Sequence, residues 1–335
     1  MPEPVYHGPS CLPYGTVPGA ESYAYSPSLS AGITFSIIFA LITLRHTTHY
    51  IHALLAPAAY LPTTATTTTS SPPSKTPKRI HYMLLLIAGA ALECTGWIAR
   101  AVAHACPYSS PLATMQISTL IMGPAWTQAA VYVACWALVL LLGRRTVPVP
   151  ATLYLWTSFA ADVVCLGLQA AGGGLAGSAA AAGGDTRTGT TVMVVGIIAQ
   201  LGVAVAFSAV LAVVVWRGWS GLVGRGSDPA VRRVAAAMVV CTAMMVLRGV
   251  YRSIELVQGW RGYLISREVY VIVLDAAPMV VAMGALAIFT PAALLVRAGV
   301  AEAEENMVRA SKGACSSGES VQTITVDEKA EKVDV

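Results

Sequence analysis

Ionisable and amide side chains recur at regular spacing within otherwise apolar stretches of this sequence. Spacings of 3, 4 or 7 residues, as in Arg248, Arg252 and Glu255, place side chains on one face of an α-helix. A charged group among apolar side chains is costly unless it has a partner or faces a cavity. These stripes therefore predict a buried polar binding site, and its candidate residues are Glu93, Arg100, Gln116, Asp162, Gln169, Gln200, Arg248, Arg252, Glu255, Glu268 and Asp275.

The charges of these candidates indicate which ligands they suit. Three are bases, namely Arg100, Arg248 and Arg252. If all the charged candidates are ionised, the site is net negative, which favours a cationic or zwitterionic head group over an anionic one. The alternative is that Arg and Glu side chains pair between helices and only fix their packing. The acids number five: Glu93, Asp162, Glu255, Glu268 and Asp275.

The composition indicates what kind of scaffold positions these residues. Of 335 residues, 56% are hydrophobic and 11% are charged, and the mean hydropathy is +0.65. Charge this sparse does not suit a water-exposed surface, and it excludes a disordered chain and a disulfide-dense secreted module. The formal net charge of only +4 argues against a nucleic-acid partner. The composition is typical of an integral membrane protein, whose surroundings are a lipid bilayer.

Seven apolar windows approach the roughly 20 residues that a helix needs to cross a bilayer core of about 30 Å. Lipid offers no hydrogen-bond partner to the backbone, so these segments must be helices, and their unbroken apolar runs exclude barrel strands. The fold class is therefore all-α, a bundle of seven transmembrane helices. The predicted spans are Ser28 to Leu44, Ile80 to Ala99, Ile117 to Leu142, Ala151 to Ala170, Thr190 to Trp216, Arg233 to Glu255 and Glu268 to Val296.

Lys and Arg are distributed unevenly between the loops that these spans define. The second, fourth and sixth loops hold four of them, whereas the first, third and fifth hold ten. The positive-inside rule therefore predicts an extracellular N-terminus and a cytosolic C-terminus. The chain then divides into an extracellular coil (1–27), a membrane domain (28–297) with a Thr- and Pro-rich cytosolic loop at about 62–79, and a disordered acidic cytosolic tail (298–335).

This topology places the polar stripes in the extracellular half of the bundle. Cys11 and Cys106 are the two cysteines that it puts outside, and we hypothesise a disulfide between them. The Gly- and Ala-rich run from Gly172 to Gly184 predicts a flexible outer loop. The cysteines show no CxxC spacing and hence no zinc signature, so we expect neither a metal site nor a cofactor.

Several of these residues also form the motifs of a known family. Glu93, Gly96, Trp97 and Arg100 follow an E-x-x-G-Y-x-x-R pattern, with Trp in place of Tyr. From Tyr25 to Pro291 the chain resembles the fungal lipid-translocating exporter family of RTA-like seven-helix proteins. The other matching residues are Gln116, Pro124, Ala125, Tyr132, Phe159, Asp162, Gln169, Gly172 to Gly174, Gly189, Gly196, Gln200, Arg248, Arg252, Glu255, Gly259, Gly262, Glu268, Tyr270, Asp275, Pro278 and Met279.

The resemblance implies a transporter or flippase and not an enzyme. Such a protein exports or translocates amphiphilic lipids, such as sphingoid long-chain bases, or toxic amphiphiles in stress and drug resistance. Its expected partner is an amphiphilic lipid or a small hydrophobic cation, and its expected location is the plasma membrane, with an internal membrane as the alternative. Asp275 and Glu255 would be the head-group or proton-binding carboxylates, with Arg248 and Arg252 as counter-charges.

Two other classes of function are open to the sequence. A seven-helix lipid receptor or sensor suits an outer polar pocket above an apolar inner half. An intramembrane hydrolase ranks lowest, because it needs His and Asp ligands for a metal within the helices. No histidine falls in the middle of a predicted span, since His46, His49 and His52 follow the predicted end of the first one and His81 adjoins the start of the second.

Overall fold

The computed structural model describes residues 11–17, 21–61, 78–143, 151–224, 228–259 and 262–301, and these form helices and turns without a β-strand. The predicted loop at about 62–79 and the predicted tail at 298–335 lie mostly outside these residues. A shorter helix, α8, follows seven long ones. The described helices of ten or more residues are α1 (Leu29–Leu55), α2 (Met83–Ala105), α3 (Ser110–Leu142), α4 (Ala151–Ala181), α5 (Arg187–Arg217), α6 (Pro229–Val257), α7 (Glu268–Ile288) and α8 (Ala292–Ala301).

Helices α1 to α7 have the length and composition of membrane spans. Each contains an apolar 18-residue window with at most two charged side chains. The predicted all-α bundle of seven spans is therefore confirmed, and the chain is an integral multi-pass membrane protein. Helix α3 is the most enclosed, because 78% of its apolar window is buried, against 50% or less in the other six. The other helices thus pack around α3.

Helix α1 continues eleven residues beyond its predicted end at Leu44. Its buried positions include Phe39, Ile42, His46 and Ala53, at spacings of 3, 4 and 7, so one helical face continues through the histidine. His46 is fully buried and occupies a core position of that face. The expectation that no histidine lies mid-helix is therefore wrong, because a neutral imidazole can fill a buried position.

The Gly- and Ala-rich run from Gly172 is helical as far as Ala181 and belongs to α4, so the predicted flexible loop is wrong over most of its length. A methyl group at Gly172 would lie 2.4 Å from the backbone nitrogen of Met193 on α5. A methyl group at Gly189 on α5 would lie 2.3 Å from the backbone nitrogen of Ala176. Two helix backbones approach this closely only where side chains are absent. The glycines therefore form the contact surface between α4 and α5.

Helix α7 is shorter than the predicted span, which ran to Val296. It passes through a π-helical turn at Val271–Ala276 and ends at Ile288. The chain is then non-helical until α8, because Pro291 lacks an amide hydrogen and disfavours a helical conformation at Thr290. The prediction of one continuous helix is thus wrong, and the predicted boundary between residues 297 and 298 falls inside α8.

The N-terminal segment, which comprises residues 11–17 and 21–28, is attached across one end of the bundle. We call this the disulfide end, because the structure joins Cys11 to Cys106 at the end of α2, the pair hypothesised above. The amide of Val17 donates to the Tyr108 hydroxyl at 2.9 Å. The segment therefore lies close to the ends of α2 and α3.

The other half of the bundle, which we call the opposite end, is filled by apolar side chains. Leu138 of α3, Phe207 and Leu211 of α5, and Met238 of α6 are all at most 2% exposed and belong to one cluster. Tyr132 packs on Phe207 with ring centroids 4.5 Å apart, where the polar region begins. An open space lined by the polar side chains can therefore form only towards the disulfide end.

Candidate functional site

A large cavity opens at the disulfide end between α3, α4, α5 and α6. Its volume is about 2120 Å³, and residues 21–25 and 183–187 border its mouth. It extends along α5 as far as Ala204, 17 residues after Arg187. At about 1.5 Å of rise per residue this is a depth of roughly 25 Å. Much of the wall is apolar, with side chains such as Ile117, Leu166 and Ile197.

Most of the predicted site residues line this cavity. Glu93, Glu268 and Asp275 are not among its lining residues. The structure therefore brings polar candidates from α2, α3, α4, α5 and α6 to one surface and keeps three of the five acids away from it. The predicted site residues that line the cavity are Arg100, Gln116, Asp162, Gln169, Gln200, Arg248, Arg252 and Glu255.

Four of the predicted residues form a cluster of ion pairs between α6 and α7, which we call the α6–α7 cluster. Arg252 lies 2.8 Å from Glu255 and 2.7 Å from Asp275. Arg248 lies 2.5 Å from the other carboxylate oxygen of Asp275 and donates to the backbone carbonyl of Leu120 on α3. Two cations face two carboxylates, so the α6–α7 cluster is electrically balanced and fixes α6 against α7 and α3.

A second ion pair lies nearer the mouth and joins α2 to α7. Arg100 donates to Glu268 at 2.7 Å and to the Tyr25 hydroxyl at 2.7 Å. Glu268 in turn accepts from the amide of Ser28, at 2.9 Å. Burial raises the pKa of Tyr25, although the nearby Arg100 opposes the shift, so the hydroxyl is neutral when it accepts from Arg100. This pair attaches the N-terminal segment to the bundle.

Gln116 also contacts the N-terminal segment. The Tyr23 hydroxyl donates to the Gln116 side-chain oxygen at 2.8 Å. Burial raises the pKa of Tyr23 to about 12, with a smaller opposing effect from Arg100, so the hydroxyl keeps its proton at neutral pH. Tyr23 and Gln116 therefore form part of the cover at the mouth of the cavity.

Asp162 differs from Glu255, the other predicted acid that lines the cavity, because no basic side chain among the described residues pairs with Asp162. Its Oδ2 accepts a hydrogen bond from the Tyr132 hydroxyl at 2.7 Å. Two helical turns nearer the mouth, Gln169 donates to Gln200 at 2.9 Å. Asp162 is buried within the bundle but lines the deep part of the cavity. A carboxylate in this position is suited to a cation that enters the cavity.

The pairing changes the electrostatic expectation drawn from the sequence. Glu255, Glu268 and Asp275 are neutralised by the three arginines, so that, of the five predicted acids, only Asp162 and Glu93 have no cation as a partner among the described residues. The predicted excess of acids is present, but it resides in these two residues. Asp162 is the one that a ligand in the cavity can reach.

Four tyrosines contribute to the site although the sequence analysis did not select them as candidates. Tyr251 donates to Glu255 at 2.7 Å. Because Tyr251 precedes Glu255 by four residues and so shares its helical face, the spacing could have predicted this contact. Tyr132 belonged to the family pattern but was not counted as a site residue. The spacing gave no signal for Tyr23 and Tyr25, since their partners are 93 and 75 residues away in the sequence.

Within residues 11–17, 21–61, 78–143, 151–224, 228–259 and 262–301, no three His, Cys, Asp or Glu side chains form a group that could hold a metal ion. His49 instead lies 3.2 Å from the carbonyl oxygen of Ala287 on α7. What the cavity offers is recognition of a polar head group by charge and hydrogen bonds, beside an apolar wall.

These features define a seven-helix integral membrane protein with a deep polar cavity that opens at one end. The chain belongs to the RTA1-like protein family, whose model matches residues 86–298. The resemblance drawn from the sequence motifs is therefore confirmed. No solved structure matches the chain significantly.

Three relatives from Saccharomyces cerevisiae illustrate this family. The chain is 25% identical to protoporphyrin uptake protein 1 over 286 residues, which cover 81% of this chain and 92% of that protein. It is 26% identical to the sphingoid long-chain base transporter RSB1 over 244 residues, which cover 63% of this chain and 64% of that protein. It is 26% identical to protein RTM1 over 285 residues, or 78% and 89% of the two chains. The two relatives whose names state an activity are named for transport or uptake and not for catalysis.

Proposed function

We propose that this protein is a transporter that moves a cationic amphiphile across its membrane, with a sphingoid long-chain base as the representative substrate. The amine of such a lipid carries a positive charge, and it can therefore supply the cationic partner that Asp162 does not have among the described residues. Its hydrocarbon chain would lie along the apolar wall of the cavity. The named activities of two relatives, transport of sphingoid long-chain bases and uptake of protoporphyrin, support an amphiphilic substrate.

The observation that carries the proposal is the position of Asp162. Its carboxylate lies deep in the cavity, is held by Tyr132 and has no cationic side chain as a partner among the described residues. Gln169 and Gln200, which lie between Asp162 and the mouth, can offer hydrogen bonds to hydroxyl groups of an entering ligand. The cavity of about 2120 Å³ exceeds the 300–1,000 Å³ that is typical of small-molecule pockets, so it has room for a lipid chain.

We place the protein in the plasma membrane, with the disulfide end outside. The Lys and Arg distribution supports this orientation. The Cys11–Cys106 bond supports it independently, because disulfides persist on the oxidising side of a membrane. An N-terminal tag that only permeabilised cells expose to an antibody would contradict this placement.

The test uses purified protein in lipid vesicles and follows a labelled sphingoid base as it moves between leaflets. We expect Asp162→Asn to slow the movement at least about tenfold, because a charge-assisted hydrogen bond contributes ~1.5–3 kcal/mol. Asp185→Asn is the matched control, since Asp185 lies at the mouth and accepts from the backbone amide of Arg187. An N-acetylated, uncharged base should move slowly with either protein. Equal movement with Asp162→Asn and wild type would overturn the role of Asp162.

A receptor or sensor is the second candidate, and one observation favours it. The cavity opens at the disulfide end, whereas the opposite end is closed by packed residues such as Leu138, Phe207 and Leu211. In a transporter this is one of two alternating states, whereas in a sensor it is simply the ligand pocket. Tight binding of the labelled base without movement above that in empty vesicles would favour the sensor.

A further inference from the structure

Glu93 does not line the cavity, and within the part of the chain that the structure describes its carboxyl group has neither a cation nor a hydrogen-bond donor at Oε1. The residue is 2% exposed, and Oε1 is buried without a hydrogen-bond partner among the described residues. Gly123 of α3 packs directly against it, since a methyl group on Gly123 would lie 3.0 Å from Cγ and 3.2 Å from Oε1 of Glu93. An ionised carboxylate is strongly unfavourable in such a place unless it is paired.

The neighbouring parts of α3 and α1 do not neutralise Glu93. On α3, the Thr127 hydroxyl donates to the carbonyl of Gly123 and is therefore already engaged. On α1, the contact next to Glu93 is between the Cys94 thiol and the carbonyl of Ser36. Neither helix presents a cation to Glu93 in these contacts.

The charged groups that act on Glu93 from α6 and α7 are Arg248, Asp275 and Arg252. All three belong to the α6–α7 cluster, where two cations already balance Asp275 and Glu255. An ionised Glu93 would give this enclosed region a net charge of −1. Arg248 is the cation that also reaches α3, where it donates to Leu120 one turn before Gly123.

Neither Asp162 nor Glu93 thus pairs with a cation from the described segments, and the two carboxyl groups differ in access. Asp162 lines the cavity, where a ligand cation can neutralise it. Glu93 does not line the cavity, and in this conformation only a proton is small enough to neutralise it.

We propose that Glu93 is a proton-binding site that couples substrate movement to proton movement. Glu93 holds a proton in the conformation described here. When Arg248 turns from Asp275 towards Glu93, the Glu93 O–H bond breaks, the proton leaves to water, and Arg248 becomes the counter-ion of the new carboxylate. Asp275 keeps Arg252 as its partner, and proton uptake reverses the step. The coupling rests on the proposed transport function, whereas the protonated state of Glu93 does not.

The protonated state is tested by infrared spectroscopy of the purified full-length protein in lipid at neutral pH. We expect a carbonyl stretching band of a protonated carboxyl group that disappears in Glu93→Gln, a substitution that keeps the shape of the side chain. Glu255→Gln is the matched control, because Glu255 is paired with Arg252 and its substitution should leave that band in place. Identical bands in wild type and Glu93→Gln would overturn the proposal.

The coupling is tested in vesicles with an imposed pH gradient and a quaternary ammonium analogue of the base, whose charge does not vary with pH. We expect the gradient to change wild-type transport severalfold and to leave the rate of Glu93→Gln unchanged. A full response in Glu93→Gln, or none in an active wild type, would overturn the coupling. If wild type moves no substrate at all, the transport function fails, and the infrared result still decides the proton site.

Discussion

Helices α4 and α5 are held together by glycines, whereas α6 and α7 are held together by charges. At the α4–α5 contact, Gly172 and Gly189 bring the two backbones together, and no ion pair is needed. At the α6–α7 contact, Asp275 accepts both Arg248 and Arg252. The comparison teaches that a carboxylate is available to a ligand where its helix is anchored by other means. Asp162 on α4 meets this condition and Asp275 on α7 does not.

The largest effect that would test this comparison is on folding. We expect Asp275→Ala to lower the free energy of unfolding by about 3–5 kcal/mol, because it leaves Arg248 buried without a carboxylate. Asp162→Ala is the matched substitution and should cost much less, since it removes no ion pair. Thermal unfolding in detergent and the yield of monodisperse protein measure both. Asp275→Ala with wild-type stability would show that the α6–α7 cluster is not structural.

A smaller loss of stability is expected at the α4–α5 contact, which is formed by glycines and not by ion pairs. Gly189→Ala should destabilise the protein by about 1–3 kcal/mol, since its methyl group would collide with the backbone of Ala176. Gly202→Ala on the same helix should be neutral or stabilising by up to about 1 kcal/mol, because nothing lies within 4 Å of the added methyl group. Equal effects of the two substitutions on thermal unfolding would show that the close approach of α4 and α5 at Gly189 does not stabilise the protein.

The smallest effect concerns two tyrosine hydroxyl groups: that of Tyr132, which donates to Asp162, and that of Tyr251, which donates to Glu255. Tyr132→Phe should slow transport of the base about fivefold, because Asp162 loses a hydrogen bond of ~1 kcal/mol that orients it. Tyr251→Phe should change transport less than twofold, since Arg252 still holds Glu255. Both hydroxyl groups donate at 2.7 Å, so the pair of variants isolates the difference in surroundings. If Tyr251→Phe slowed transport more than Tyr132→Phe in the vesicle assay, Glu255 and not Asp162 would be the carboxylate that binds the substrate.

The sequence predicted the number of helices and most of the cavity wall because both depend on local patterns. Apolar windows of sufficient length must be helical in lipid, and spacings of 3, 4 and 7 place polar side chains on one face. These rules do not determine where a helix ends when the residues are ambiguous. Histidines follow the predicted end of α1 and glycines that of α4, yet His46 fills a core position and Gly172 permits a close helix contact.

The sequence by itself determined that this chain is a seven-helix membrane protein of the RTA1-like family with polar stripes in four helices. It could not decide which acids are paired, because Asp162 with Gln169 and Glu268 with Asp275 show the same spacing of seven. Pairing depends on which faces of which helices meet, and those contacts join residues as far apart as Arg100 and Glu268. Only the tertiary structure therefore separated Asp162, which lines the cavity, and Glu93, which does not, from the acids that hold the helices together.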